Sequence, residues 1–219
     1  MITLDKRLSA VAALVRQGSR LADIGTDHAY LPVHLVQAGV CPSAIASDIG
    51  AGPLDAARRT VTENGLTSEI ALRLGNGLAT VSAGEVEDIA IAGMGGETIV
   101  MILEAAPWVQ NEGIRLILQP MTRAEDLRRW LLHNGFSILE EHLIMDGRHL
   151  YPVIAAEYTA SPVEDELACY AGFFEAEEGR PYRQMMAGHL ARKAIGLAHG
   201  GDTATAEQLQ KLSEQLKQL

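Results

Sequence analysis

The residues best able to do chemistry lie in one run, Asp23-Ile24-Gly25-Thr26-Asp27-His28-Ala29-Tyr30. An apolar, strand-like segment enters this turn and a helical pattern leaves it. A glycine-rich turn at such a junction holds a cofactor against the start of the next helix. Of the glycines in a dinucleotide-binding turn only Gly25 is present, and Asp27 stands where the second belongs. A carboxylate there repels a pyrophosphate. S-adenosylmethionine has no phosphate but carries a sulfonium and an ammonium group, which Asp23 and Asp27 suit. The plainer alternative is an ordinary strand-to-helix turn in which Asp27 caps the helix.

Each later strand-like run also ends in polar or glycine residues. Ser47-Asp48-Ile49-Gly50 follows the first turn at the distance expected of an acid that accepts from both ribose hydroxyls. Gly52-Pro53 then suits the first turn of a helix. Gly75-Asn76-Gly77-Leu78 offers an amide to a base edge where the backbone comes close, although such a tripeptide is often only a turn. Ala92-Gly93-Met94-Gly95-Gly96 signals close backbone approach, with Met94 either core or the wall of a flat base. Gln119-Pro120 adds one more polar group to the same edge.

The elements that must position these residues follow from two periodicities. Strand-like runs at 21–25, 44–48, 70–74, 88–92 and 114–119 alternate with helical patterns, which predicts a parallel sheet. Runs at 138–145 and 150–158 are separated by Asp146-Gly147, a hairpin signal, so the last two strands should be antiparallel. A boundary near Thr159-Ala160-Ser161-Pro162 divides a domain of residues 1–159 from one of residues 160–219. Beyond it the pattern is helical. Gly200-Gly201-Asp202-Thr203 is a loop ending in a cap, and Leu209, Leu212, Leu216 and Leu219 form a seam. That seam should pack back on a helix over about 181–198, making a helical hairpin.

Composition limits the partners. The 219 residues carry a net charge of −10, which argues against nucleic acid held over the whole surface and leaves room for a local basic patch. Candidates for that patch are Arg123, Arg128 and Arg129 after the fifth strand, with Arg180, Arg183, Arg192 and Lys193 in the tail. Cys41 and Cys169 match no metal or redox spacing and read as free thiols of a reducing compartment. His133, His142, His149, His189 and His199 show no ligand spacing, so no metal is expected. No apolar run is long enough to cross a membrane. Lys6-Arg7 and the apolar run 8–15 imitate a signal peptide, but Arg16 closes the run early and an amphipathic helix is the better reading. A soluble, cytoplasmic protein is expected, a monomer or weak dimer.

The sequence resembles the bacterial tRNA adenine-N1-methyltransferases acting at adenine 22, the TrmK family. The likeness rests on Lys6-Arg7-Leu8, the stretch from Asp23 to Pro32, Asp48 with Gly52-Pro53, Gly75-Asn76-Gly77-Leu78, Ala92 to Gly96, and Leu118-Gln119-Pro120. It implies a Rossmann-like α/β fold of the class I methyltransferase type. The seven-stranded sheet would have five parallel strands and a final antiparallel hairpin, followed by a small helical domain that helps hold tRNA. It implies S-adenosylmethionine as donor, bound by Arg7, Asp23, Gly25, Asp27, His28, Asp48, Ile49, Gly75, Asn76, Gly77, Ala92, Gly93, Met94 and Gly95. Asp27, His28, Tyr30 and Gln119 would surround the transferred methyl, and Arg123, Arg128, Arg180, Arg183, Arg192 and Lys193 would meet RNA. Methyl transfer to N1 conserves net charge, so alignment of sulfur, methyl and nitrogen would dominate and no strong base is required. An adenine whose N1 is paired must first be exposed or flipped.

Three other readings fit parts of the same sequence pattern. A methyltransferase for a small molecule or protein, with the tail used for dimerisation, would have the same donor site. A non-catalytic interaction protein on the same sheet has no need of close-approach backbone at every strand end. A nicotinamide dehydrogenase is disfavoured by Asp27.

Overall fold

The computed structural model describes residues 2–219. The first helix, α1 (Lys6–Leu14), is followed by β1 (Leu21–Ile24), α2 (Tyr30–Gln37), β2 (Ala44–Asp48), α3 (Ala51–Glu63) and β3 (Ile70–Leu74). Then come β4 (Asp88–Gly95), α4 (Gly96–Glu104), β5 (Arg115–Thr122) and α5 (Ala124–His133). A hairpin of β6 (Phe136–Asp146) and β7 (His149–Tyr158) completes one seven-stranded sheet in the order β3-β2-β1-β4-β5-β7-β6. The tail is α6 (Glu166–Ala171), α7 (Ala176–His199) and α8 (Thr203–Gln218).

The central strands read as continuous apolar runs because both sheet faces are covered. Ile89, Ile91, Leu116 and Leu118 pack on one side with Ile99 and Leu103 of α4 and Leu127 and Leu131 of α5. The alternate residues Ala90 and Ile117 turn to the other side, against Val11 and Leu14 of α1, Leu31 and Leu35 of α2, and Val61 of α3. Helix α1 is pinned at both ends. The Asp5 carboxylate caps it by accepting from Leu8 N at 2.7 Å, and buried Asp88 accepts from Arg16 N and Nε, each at 2.7 Å.

The expected final hairpin is present, its two strands antiparallel to each other, and the structure adds its place in the sheet and shifts two boundaries. β7 inserts between β5 and β6 and is antiparallel to both, so β7 alone is reversed and β6 runs with the first five strands. The turn residues are Gly147 and Arg148, with Gly147 at φ +59°, where a side chain is strained. β4 and β5 continue past the expected ends at residues 92 and 119, because bulges absorb the glycines and pair Met94 with Pro120 and Gly95 with Thr122.

The tail differs in detail. Helix α7 begins at Ala176, ahead of Pro181, with Glu177 and Glu178 in its first turn, where the helix dipole favours acids. The Asp202 carboxylate caps α8 by accepting from Thr205 N, and the Ser213 hydroxyl donates to Ala187 O at 2.8 Å across the hairpin. Leu209 and Leu216 are buried and Leu212 packs partly against them, but Leu219 lies beyond the helix and is exposed. The seam therefore ends one residue group early. No helix among the described residues is long and apolar enough to cross a membrane.

Candidate functional site

The carboxyl edge of the parallel strands carries two adjoining hollows, each of about 460 Å³. Gly25 lines both. Its φ is +79°, and the space where a Cβ would stand is taken by the terminal methyl of Met94. Gly25→Ala is expected to destabilise the fold by about 1–3 kcal/mol through strain and displacement of Met94. Thermal unfolding checks this, and an unchanged melting temperature would contradict it.

The first hollow is lined by Asp48, Ile49, Gly75, Asn76, Gly77 and Met94, so these expected residues are brought together. Asp48 is held in place: Oδ1 accepts from Gly50 N at 2.7 Å and its backbone carbonyl accepts from Gly75 N at 3.0 Å. The other carboxylate oxygen has no hydrogen-bond partner among the described residues and is open to a diol. At Gly77 an added Cβ would sit 3.1 Å from the Ile102 side chain, so glycine keeps that wall open. Thr98, Met101 and Ile102 of α4, with Ala105 just past its end, also line the hollow, and the sequence reading missed them. Their spacing of three, four and seven residues marks one helix face, a signal that was there to read. The Ser47 hydroxyl, at the same wall, is buried without a hydrogen-bond partner among the described residues.

The second hollow is lined by Arg7, Asp23, Asp27, His28, Tyr30, Ala92 and Gly93, again as expected. Asp23 is only 7% exposed, and burial pushes its carboxyl up to about 6. A hydrogen bond from Thr26 opposes that rise, and the charge of Asp48 adds to it. Asp27 is at the rim, its side chain 75% exposed, with Oδ2 3.4 Å from His28 Nε2. It does not cap α2, whose N-cap is Ala29 in the left-handed region at φ 55°. The His28 ring lies parallel to that of Tyr30, with centroids 5.1 Å apart and planes 7° apart.

Two expected site residues are placed elsewhere. Gln119 lines neither hollow and is 0% exposed, which keeps it behind their walls. Its Oε1 accepts from Arg7 Nη1 at 3.1 Å and from Gly93 N at 3.2 Å, and its Nε2 donates to Pro120 O. Gln119 thus joins α1 to the end of β4. Gly95 also lines neither hollow; it pairs with Thr122 and is the N-cap of α4, where a Cβ would stand 3.2 Å from the Thr122 hydroxyl.

The candidate RNA contacts divide. Arg128 is 0% exposed and gives its guanidinium to Glu141 at 2.6 Å, Cys169 O at 2.8 Å and the Tyr182 hydroxyl at 3.1 Å. Arg183 is buried and donates to Ala176 O. Neither reaches a phosphate, because each is consumed inside the junction of tail and sheet. Arg123 pairs with Asp126, Glu125 and Glu97, and Arg180 with Glu177 at 2.6 Å, which offsets their charge. Arg129, considered with them, is bound to Asp126 and Glu166. Arg192 and Lys193 are exposed and in no ion pair among the described residues. Among those residues, no group of three or more His, Cys, Asp or Glu is arranged to hold a metal ion.

Residues 4–154 match a family model described as a methyltransferase domain. The chain is 41% identical over 156 residues to the tRNA (adenine(22)-N(1))-methyltransferase of Bacillus subtilis, an alignment covering 71% of this chain and 66% of that one. The crystal structure of the B. subtilis m1A22 tRNA methyltransferase TrmK superposes with a TM-score of 0.89 at 30% identity, covering 99% of this chain and 100% of that one. The chain belongs to the TrmK family of methyltransferases. A second TrmK-like structure is the Streptococcus pneumoniae putative tRNA (m1A22) methyltransferase in complex with S-adenosyl-L-methionine. It has a TM-score of 0.81 at 34% identity and covers 99% of this chain and 100% of that one. Full-length coverage means that the TrmK likeness includes the helical tail and not only the sheet.

Proposed function

We propose that this enzyme transfers a methyl group from S-adenosylmethionine to N1 of adenine 22 in tRNA, in the cytoplasm. The carrying observation is the pair of hollows joined at Gly25, each walled by a carboxylate and neither built to cradle phosphate. Asp48 accepts from the ribose hydroxyls, and Ile49, Asn76 and Met94 enclose the base. Asp23 meets the ammonium group and Arg7 the carboxylate of the methionine part. When bound, the donor supplies an electrophilic methyl on a positively charged sulfur.

The remaining residues position the acceptor. The parallel His28 and Tyr30 rings at the rim offer a stacking surface for an exposed adenine, and Asp27 accepts from its exocyclic amine. Charge passes from sulfur to base without a net change, so the gain is alignment. Gln119 acts one step removed, by fixing Arg7 and the Gly93 turn. Residues 1–159 form the methyltransferase domain in this reading, and residues 160–219 a helical domain that presents Arg192 and Lys193 to the RNA.

The test is transfer from labelled S-adenosylmethionine to unmodified bacterial tRNA, with the product nucleoside mapped. N1-methyladenosine at position 22 is the expected result. Donor binding without transfer to any tRNA would move the acceptor to another class of molecule.

A further inference from the structure

The β6–β7 hairpin reaches past the rest of the sheet on the side where the hollows open. The last rung joining β7 to β5 is Ile154 opposite Leu118, yet β7 stays paired with β6 out to His149 opposite Asp146. At roughly 3.3 Å per residue, residues 149–153 carry the turn about 16 Å beyond that rung. Because β7 runs against the parallel strands, its first residues lie at their carboxyl edge. Alternation puts His149 and Tyr151 on the same face as Val153, which packs with residues of α1 and α2.

On that face the Arg7 guanidinium lies 5.9 Å from the centre of the Tyr151 ring. The His149 ring stacks on Tyr151 in turn, with centroids 6.0 Å apart and planes 23° apart. Arg7 itself lines the second hollow. A strip of planar groups therefore runs from the hollow outward along the hairpin. At its end Arg148 is exposed and in no ion pair among the described residues.

We propose that this strip is a contact for single-stranded RNA. A nucleotide beside the target adenine stacks on Tyr151 and His149, and Arg148 takes a phosphate. The inference rests on the tRNA reading above and adds the surface that holds the flanking chain. Aromatic and guanidinium faces accept any base, since every base has a π-face. An unpaired cation at the end of the strip favours a phosphate backbone. Asp146 offsets part of that charge, so stacking is the larger contribution.

Steady-state methylation of unmodified tRNA, with donor affinity measured separately by calorimetry, tests the strip. Tyr151→Ala is expected to raise KM for tRNA roughly tenfold or more while the donor Kd stays within about twofold. Tyr151→Phe keeps the ring and should keep the KM of the unaltered enzyme. Arg148→Gln should reduce the salt slope of tRNA binding by about 0.7. Unchanged KM in Tyr151→Ala overturns the proposal, and so does a weakened donor Kd that accounts for the whole loss. Should Tyr151→Ala fail to fold, His149→Ala at its exposed position takes its place: a KM raised about threefold supports the strip, an unchanged one sinks it. An unaltered enzyme that methylates no tRNA removes the substrate reading itself, a result distinct from an active enzyme indifferent to these substitutions.

Discussion

Asp23→Asn is expected to melt at a higher temperature than the unaltered protein at pH 8 and to bind S-adenosylmethionine roughly ten- to a hundredfold more weakly. Both effects come from one buried charge. The carboxyl is held near 6 against an ordinary 3.8, chiefly because burial disfavours the ionised form. The folded protein therefore binds the proton more tightly than the unfolded chain. The stability from this site is fully present below about pH 4 and is lost as pH rises through about 6. A difference of roughly two pH units corresponds to about 3 kcal/mol of order-of-magnitude cost at pH 8, which the neutral amide avoids. At pH 4 the variant and the unaltered protein should melt together.

Donor affinity runs the other way. In the proposed binding mode an ionised Asp23 attracts the ammonium group, and protons compete with the donor below about pH 6. Affinity should then fall by up to tenfold per pH unit, a dependence absent from the Asn variant. Calorimetric titration from pH 5 to 8, with melting curves over the same range, measures both. A variant that is less stable at pH 8, or that binds the donor with unchanged affinity, contradicts the assignment.

Arg128→Met should destabilise the protein by about 3–5 kcal/mol, the usual result of leaving one buried ion without its partner. Glu141 would lose the Arg128 guanidinium that it meets at 2.6 Å, keeping only the Phe173 N–H donated to its Oε2. Cys169 O and the Tyr182 hydroxyl would lose a donor too, and the guanidinium would leave the faces of Phe174 and Tyr182, 5.6 and 5.0 Å from it. The same pair joins α5 and β6 to α6 and α7, so the tail should loosen together with the sheet edge. The double variant Arg128→Met with Glu141→Leu removes both charges and should recover most of the loss. Urea unfolding of the three proteins decides it; a single variant as stable as the parent would contradict the buried pair.

Much of the candidate site was legible in the sequence because its parts are local. A strand end, a glycine at positive φ and an acid one turn later lie within a few residues of each other. Spacing alone therefore placed Asp23, Gly25, Asp27, Asp48 and Asn76 at one edge. Helix face periodicity would also have found Thr98, Met101 and Ile102, which share the wall of the first hollow.

What the sequence by itself determined was the alternation of strands and helices, the edge at which the polar turns gather, and the kind of ligand those acids favour. The tertiary structure alone decided which charged groups face water. Arg128 and Arg192 read alike as basic residues of helices, yet Arg128 meets Glu141 and Tyr182 across 13 and 54 residues and is wholly buried, while Arg192 is exposed. Gln119 likewise looked like a rim residue until Arg7, 112 residues away, closed over it. The insertion of β7 between β5 and β6 is of the same kind, since a hairpin signal specifies the pair and not its place in the sheet. Residue type and period are properties of a short window of chain. Burial and pairing depend on groups brought together only when distant segments pack.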